Sequence, residues 1–230
     1  MKTSLFQLIC FFKKPTLFVL LVLFTSKLFS QNLQLHYDYA KDREYFTSTL
    51  EFYRPDDRGA TFWFVDFDYN ELGNRSASLA YWEIARYFNL SLKKGLSATI
   101  QFNDGIAPWG RLGHIWLAGL AHPINLGAIS ISTELLYRSS YLSKGSDAQL
   151  TFVYSFDFLG GKGHLTGFAD IWSEAKTKRS NKTIVFLSQP QVWFELLNNI
   201  YIGGEARISQ NFLPQKGLQL YTTIGVKWKM

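Results

Sequence analysis

The chain has 230 residues, of which 47% are apolar and 17% aromatic, and its formal net charge is +6. Residues 1–30 hold four lysines and no acidic residue, so the rest of the chain carries only +2 and gives no electrostatic reason to expect a nucleic-acid partner. The one cysteine, Cys10, also lies in this segment. The remaining chain therefore offers neither a disulfide nor a thiol for catalysis or metal binding.

The N-terminal segment has the organisation of a secretory signal peptide. Lys2, Lys13 and Lys14 form a basic region, and Leu17–Phe24 is an apolar run too short to cross a bilayer as a helix. Ser30 supplies a small residue at a plausible cleavage position. We predict a signal peptide over residues 1–30 and a single domain over residues 31–230, with an uncleaved membrane anchor as the alternative.

From residue 31 onward, the chain divides into about twelve two-faced β-segments whose connectors alternate in length. The longer connectors are Ala40–Glu44, Asn70–Ser78, Asn103–Gly113, Ser139–Asp147, Ser173–Lys182 and Asn211–Gly217. The shorter ones, rich in Pro, Gly and Asn, are Pro55–Gly59, Ser91–Gly95, Pro123–Gly127, Leu159–Gly163 and Leu196–Asn199. Short periplasmic turns and longer outer loops are typical of outer-membrane barrels. The pattern predicts an all-β fold, a twelve-stranded antiparallel transmembrane β-barrel in the outer membrane of a Gram-negative bacterium.

Aromatic residues fall near many of the predicted strand ends, where interfacial girdles are expected in a membrane barrel. The residues concerned are Tyr45, Tyr53, Trp63, Tyr69, Tyr87, Trp116, Tyr137, Trp193, Tyr201 and Trp228. A soluble β-sandwich or a periplasmic barrel with an aromatic core is the alternative. It explains the alternation, but it explains less easily the many apolar residues on one face of nearly every strand.

The alternation also assigns the two faces of each strand, because successive side chains of a strand point to opposite sides. Asp66 and Asp68 must face the lumen, since a carboxylate in hydrocarbon costs several kcal/mol, and Phe62 and Phe64 share their parity. The residues predicted to face lipid are Trp63, Val65, Phe67, Ile129, Ile131, Leu135, Ile200, Ile202 and Ile208. Those predicted to face the lumen include Thr47, Thr49, Glu51, Glu83, Glu134, Arg138, Phe168, Asp170, Trp172, Gln189, Gln191, Glu205, Arg207, Tyr221 and Lys227. Acidic groups dominate this wall, so we expect it to favour cations or neutral solutes.

Five blocks of the sequence, taken in order, resemble the nucleoside-specific channel-forming outer-membrane proteins of the Tsx type: STLEFYRPDDRGATFWFVDFDY, YWEIARYFNLSLKKG, IWLAGLAHPINLGAISISTELLY, GGKGHLTGFADIW and YTTIGVKWKM. The resemblance implies a monomeric twelve-stranded barrel whose narrow lumen lets nucleosides diffuse passively. By position it singles out Glu51, Asp68, Glu83, Phe168, Asp170 and Trp172. The chain departs from the family in ending at Met230 rather than at an aromatic residue, and in its short outer loops.

A nucleoside presents a flat base that can stack on aromatic rings and a ribose whose hydroxyls can bond to carboxylates. The predicted substrate-binding residues are therefore Phe62, Phe64, Phe168 and Trp172 for stacking, with Glu51, Asp66, Asp68, Glu83 and Asp170 as acceptors. The alternative is a structural or surface-interaction barrel without transport. In that case the luminal carboxylates pair with Arg138, Arg207 and Lys227.

An enzymatic function receives little support from the sequence. The four histidines, His36, His114, His122 and His164, are scattered and do not show metal-ligand spacing. A lipid hydrolase that uses His114 or His164 with an outward serine stays open as an alternative. We predict no enzyme, no metal and no cofactor; the expected partners are a small solute and the lipid bilayer, with no nucleic acid.

Overall fold

The computed structural model describes residues 30–230 except 42, 71–76, 91–94, 142, 144, 176–180 and 213–215. The predicted signal peptide lies outside the described residues apart from Ser30, where the first strand begins. Within the described part of the chain, no helix is long and apolar enough to cross a membrane.

In the described part of the chain, the regular structure consists of fourteen strand segments and one 3₁₀ turn, Leu159–Gly161. The strands are β1 (Ser30–Asp38), β2 (Tyr45–Asp56), β3 (Gly59–Tyr69), β4 (Leu79–Asn89), β5 (Ser97–Ala107), β6 (Gly110–Arg111), β7 (Ile115–Leu126), β8 (Ile129–Ser140), β9 (Asp147–Phe158), β10 (Gly163–Glu174), β11 (Thr183–Ser188), β12 (Gln191–Leu197), β13 (Ile200–Gln210) and β14 (Leu218–Lys229).

These segments form one closed antiparallel barrel of twelve strands. Neighbours in sequence pair along the wall, and β1 pairs with β14 to close the ring. Two segments do not add a strand to the wall: β6 pairs with the end of β5, and β11 and β12 are two halves of one strand. The predicted fold and strand number are confirmed.

The interruption between β11 and β12 lies at Gln189–Pro190. Proline has no backbone N–H to donate, so it breaks the ladder of a strand that is paired on both sides. The Gln189 amide donates to the Phe168 carbonyl at 3.1 Å, and the Ala206 amide donates to the Pro190 carbonyl at 2.9 Å. Both neighbouring strands are therefore still bonded across the break.

The connectors follow the predicted alternation with two exceptions. Three turns on the side of the chain termini contain two residues each, at 57–58, 127–128 and 198–199. However, β5 continues to Ala107, beyond the predicted end at Asn103, and folds back through β6. The connector at 90–96 is also longer than the outer connector at 39–44. Connector length alone would therefore assign these two connectors to the wrong ends of the barrel.

The outer face of the barrel is apolar. The strand register places all nine residues predicted to face lipid on this face, and Leu135, for example, is 65% exposed. A continuous exposed apolar belt is unfavourable in water but matches hydrocarbon. The alternative of a soluble protein with these side chains in its core does not fit the structure.

Five residues predicted to belong to interfacial girdles instead face the interior, so their sequence-based assignment is wrong. Tyr53 shares the inward parity of Glu51 on β2 and is the register partner of the luminal Phe62. Tyr45, Trp193 and Tyr201 are buried, and Tyr87 donates a hydrogen bond to the luminal Glu134 at 2.8 Å. The reason is strand parity: each shares its face with a luminal polar residue of the same strand. Position near a strand end is a weaker guide than parity.

Candidate functional site: the barrel interior

Carboxylates from several strands face one another across the lumen. Glu83 on β4 interacts electrostatically with Asp170 on β10 and with Glu134 on β8. Asp66 on β3 interacts in the same way with Glu205 on β13. Side chains from such distant strands share one space, as expected for the inner face of a closed barrel.

Each of these carboxylates accepts hydrogen bonds from neutral donors on the same or nearby strands. On β2, Thr49 donates to Asp66 at 2.5 Å and Thr47 donates to Asp68 at 2.7 Å. Asn32 on β1 donates to Glu51 at 3.0 Å. Uncharged donors hold the carboxylates in place without cancelling their charge.

The same arrangement continues around the ring. Glu83 accepts from Tyr81 at 2.5 Å and from Asn103 at 2.9 Å. Glu134 accepts hydrogen bonds from Tyr87 at 2.8 Å and from Gln101 at 2.6 Å. Glu205 accepts from Gln189 and Gln191, both at 2.8 Å, and Asp170 accepts from Thr151 at 2.5 Å.

The luminal bases lie on aromatic rings. The distance from the Arg138 guanidinium carbon to the Trp172 ring centroid is 4.8 Å, and Arg207 is equally far from Tyr221. Lys227 Nζ lies 4.4 Å from the Trp193 ring. Among the ion pairs of the described residues, none joins Arg138, Arg207 or Lys227 to a luminal carboxylate. The described residues therefore do not form the network of luminal ion pairs that was the alternative from the sequence.

Ion pairs are instead found towards the two ends of the barrel. Arg43 pairs with Asp38, and Lys182 pairs with Asp147 at 3.0 Å, both at the end with the longer loops. At the other end, Arg86 pairs with Asp56 at 2.6 Å. The middle of the lumen carries mostly acidic charge, since its carboxylates outnumber its bases.

The aromatic residues proposed for stacking form two separate groups. Phe62 and Phe64 lie on β3, with a centroid distance of 6.0 Å, and Phe64 lies 6.0 Å from Tyr81. Phe168 and Trp172 lie on β10. The structure brings each group to the inner face but does not join the two groups in a single stacking box.

The four rings differ in how accessible they are. Phe62, Phe64 and Phe168 are half-buried, so part of each ring faces the lumen. Trp172 is only 5% exposed, because Arg138 covers its face and Phe212 packs against it edge-to-face, with a distance of 5.9 Å between the two ring centroids. Phe62, Phe64 and Phe168 are thus the rings that a solute can reach most directly.

Sequence reasoning placed Lys227 in the lumen but missed His36 and Trp193, which form a luminal group with it. The Trp193 side chain is fully buried at 0% exposure. A signal for it was present, because Trp193 has the same parity as Gln189 and Gln191, which were predicted to face inward. The rule that places tryptophan at membrane interfaces obscured that parity.

Histidine and acidic side chains of the described residues do not form a group of three or more that could hold a metal ion. His164 is bonded to Asp157 at 2.5 Å, and His36 to Thr223 and Gln34. These contacts are between wall residues of the barrel.

The backbone course identifies the class of the protein, a closed twelve-stranded barrel of porin architecture. The KdgM porin in complex with disordered oligogalacturonate aligns with a TM-score of 0.51 and 10% identity, covering 87% of this chain and 99% of that chain. The NanC porin aligns with a TM-score of 0.57 and 9% identity, covering 87% of this chain and 100% of that chain. At such identities the similarity establishes the fold.

The chain belongs to the family described as Domain of unknown function DUF5020, whose model matches residues 30–230. Among curated proteins, no sequence matches the chain. The matched residues comprise the whole barrel, so family and fold refer to the same part of the chain.

Proposed function

We propose that the protein is an outer-membrane channel of a Gram-negative bacterium through which nucleosides, or polar solutes of similar size, diffuse passively. The observation that carries this proposal is the chemistry of the lumen. Its carboxylates are held by neutral donors, and its bases rest on aromatic rings. Such a wall leaves acidic charge available to solutes, so the channel prefers neutral or cationic solutes to anions.

The outer face supports the placement in a membrane. A closed barrel leaves no unpaired strand edge, and the apolar belt around it matches the hydrocarbon of a bilayer. The signal peptide proposed for residues 1–30 provides export to that membrane. A single chain closes the ring, so a monomer is sufficient to form the channel.

The proposal that the solute is a nucleoside has two independent supports. The first is the sequence resemblance to nucleoside-specific channels. The second is the lumen, where Phe64 and Phe168 offer partly exposed rings and Asp68, Glu83 and Asp170 offer acceptors for ribose hydroxyls. Phe62, Glu51 and Asp66 belong to the same proposed set of substrate-binding residues. Trp172 also belongs to this set, with Arg138 lying over the face of its ring. Binding to any of them has to stay weak enough for the solute to leave.

The charge of the lumen also bears on whether the solute of one structural neighbour would pass. The KdgM porin was solved with oligogalacturonate, a chain of acidic sugars. A wall rich in carboxylates repels such a polyanion. Similarity of fold therefore does not transfer that solute to the present protein.

The second candidate function is a structural or surface-interaction barrel without transport. It is favoured by one observation, the dense packing of part of the interior, where Leu117, Leu136 and Trp193 are fully buried. A lumen filled all the way along would not conduct. The two candidates therefore differ in a property that can be measured directly.

Uptake into proteoliposomes tests the proposal. Liposomes with the refolded barrel are mixed with labelled adenosine or with an uncharged sugar of similar size, and protein-free liposomes serve as the control. We expect both solutes to enter and adenosine to enter faster. Equal rates would refute the nucleoside preference, and an absence of uptake of both solutes would favour the structural barrel.

A further inference from the structure

One side of the lumen is filled by a group that we name the Trp193 cluster: His36 on β1, Trp193 on β12 and Lys227 on β14. The imidazole of His36 meets the indole edge-on, with a centroid distance of 5.4 Å. Lys227 Nζ lies 4.4 Å from the indole ring. All three side chains are at most 5% exposed. They form a packed unit inside the barrel.

Two glycines make room for this cluster. Gly203 on β13 is the register partner of both Trp193 and Gly225, and Gly225 on β14 is in turn the partner of His36. A Cβ atom on Gly203 would lie 2.9 Å from Trp193 Cε3, and one on Gly225 would lie 3.0 Å from His36 Nδ1. The rings occupy the space that side chains of the intervening strands would otherwise fill.

Hydrogen bonds fix the two rings in place. Trp193 Nε1 donates to Gln191 Oε1 at 3.0 Å. The two nitrogens of His36 share hydrogen bonds with Thr223 Oγ1 and Gln34 Oε1, both at 2.9 Å. Because both rings are held at their polar atoms as well as by packing, we expect the cluster to keep its position while solutes pass.

The inner faces of β9 and β3, two strands away on either side of the cluster, are more open. Val153 on β9 shares the inward parity of Thr151 and is nevertheless 43% exposed. Phe62 on β3 is also partly exposed. Water therefore reaches the lumen beside β3 and β9, whereas the side formed by β12, β13, β14 and β1 is filled. The cluster therefore fills the lumen between these two more open positions, and Leu117 on β7 and Leu136 on β8 are buried on the side across from it.

Whether a barrel of this size conducts depends on a few side chains. Eight-stranded barrels are filled by their own side chains, and barrels of sixteen or more strands leave an aqueous channel. With twelve strands, one indole and the groups packed against it decide how much of the cross-section stays open.

We propose that the Trp193 cluster is the constriction of the channel: Trp193 sets the largest solute that passes, and Lys227 opposes the passage of cations there. This inference rests on the proposed channel function. It adds Trp193 and His36 as specificity-determining residues, which neither the sequence resemblance nor the luminal carboxylates pointed to.

The experiment measures unit conductance in planar bilayers, with Trp193→Ala compared with the wild type. The matched control is Trp228→Ala, because Trp228 is the chain neighbour of Lys227 on β14 but faces outward and is 47% exposed. We expect Trp193→Ala to raise the conductance and to admit larger uncharged sugars in a liposome-swelling assay. Trp228→Ala should behave as the wild type does. Lys227→Met should shift the reversal potential in a salt gradient towards stronger cation preference.

Folding of each variant is checked by its heat-modifiable migration on gels. If Trp193→Ala does not fold, Trp193→Phe, which keeps a ring of smaller size, should give a conductance between those of wild type and an open lumen. A folded Trp193 variant with wild-type conductance and size limit overturns the inference and leaves the channel function standing. A silent wild type with a conducting Trp193→Ala supports the constriction. If both are silent, the channel function and the constriction fail together.

Discussion

At the scale of single residues, the luminal carboxylates are held by neutral hydrogen-bond donors and not by direct ion pairs, and Arg138 interacts with Glu83 and Asp170 only at longer range. Glu83 and Asp170 are held by hydroxyl and amide donors, while Arg138 rests on Trp172. A hydrogen bond from a neutral group keeps a carboxylate in place but leaves most of its field in the lumen. These residues are thus suited to act on a solute and not only on each other.

The carboxylates are therefore expected to control ion preference. Replacing Glu83 with Gln, or Asp170 with Asn, should lower the preference for cations. The attraction between a carboxylate and a cation 4 Å away is about 1 kcal/mol in bulk water and about 4 kcal/mol near a protein surface. Reversal potentials in a potassium chloride gradient measure this preference. Asp57→Asn, in an exposed turn, is the control and should leave the reversal potential unchanged. Wild-type selectivity in both luminal variants would contradict the assignment.

The accessible rings are expected to control solute block. Phe64→Ala and Phe168→Ala should each weaken the block of the current by adenosine, since base–aromatic stacking contributes about 1–3 kcal/mol per base. Trp63→Ala changes an outward ring of the same strand as Phe64 and should leave block as in the wild type. Titration of the current with adenosine gives the comparison. Unchanged block in both phenylalanine variants would remove the rings from the proposed site.

Parity predicted most of the residues that face the lumen, because the cost of a carboxylate in hydrocarbon decides the orientation of a whole strand. It did so for Asp66 and Asp170 and for the rings beside them. The partners of the bases could not be predicted in this way. Whether Arg138 pairs with a carboxylate or stacks on Trp172 depends on distances across the lumen, which are set by the curvature of the closed wall.

At the scale of strands, glycines allow β12, β13 and β14 to approach closely. A Cβ atom on Gly203 would lie 1.9 Å from the Val192 carbonyl oxygen. Gly203→Ala should therefore lower the free energy of unfolding by about 1–3 kcal/mol, the usual cost of overpacking. Gly145 has open space around it, so Gly145→Ala is the control. Urea titration followed by tryptophan fluorescence compares the two variants; equal stabilities would argue against the close approach.

The strands also predict how stability depends on depth in the bilayer. Leu135 lies in the middle of β8 on the outer face, and Leu218 lies at the start of β14 on the same face. Leu135→Lys should destabilise the barrel in liposomes by about 2–4 kcal/mol, and Leu218→Lys by about 0–1 kcal/mol. Denaturant titration in lipid measures both. Equal costs for the two positions would be inconsistent with a membrane-embedded belt.

Connector length and composition predicted the number and order of the strands, because short Gly- and Asn-rich turns can only join adjacent antiparallel strands. Two details escaped this reasoning. The break at Pro190 retains bonds to both neighbours, so the two halves act as one strand. The hairpin through Gly110 extends β5 into a segment that is polar enough to be taken for a loop. Both depend on pairing with other strands and not on local sequence.

At the scale of the whole molecule, the barrel combines an apolar outer belt, an acidic lumen and a packed cluster on one side. The belt matches a bilayer, and in the function that we propose the carboxylates favour neutral or cationic solutes and the Trp193 cluster narrows the path. Together these features are what we expect of a narrow diffusion channel for small polar solutes.

Single-channel recording in planar bilayers tests this account most directly. The purified barrel of residues 31–230 is added to one side, and the current is recorded with and without adenosine. We predict discrete openings with cation preference and a current that falls as adenosine is added. Insertion of folded protein without any current, or a current that adenosine leaves unchanged, would contradict the account of the lumen as a nucleoside path.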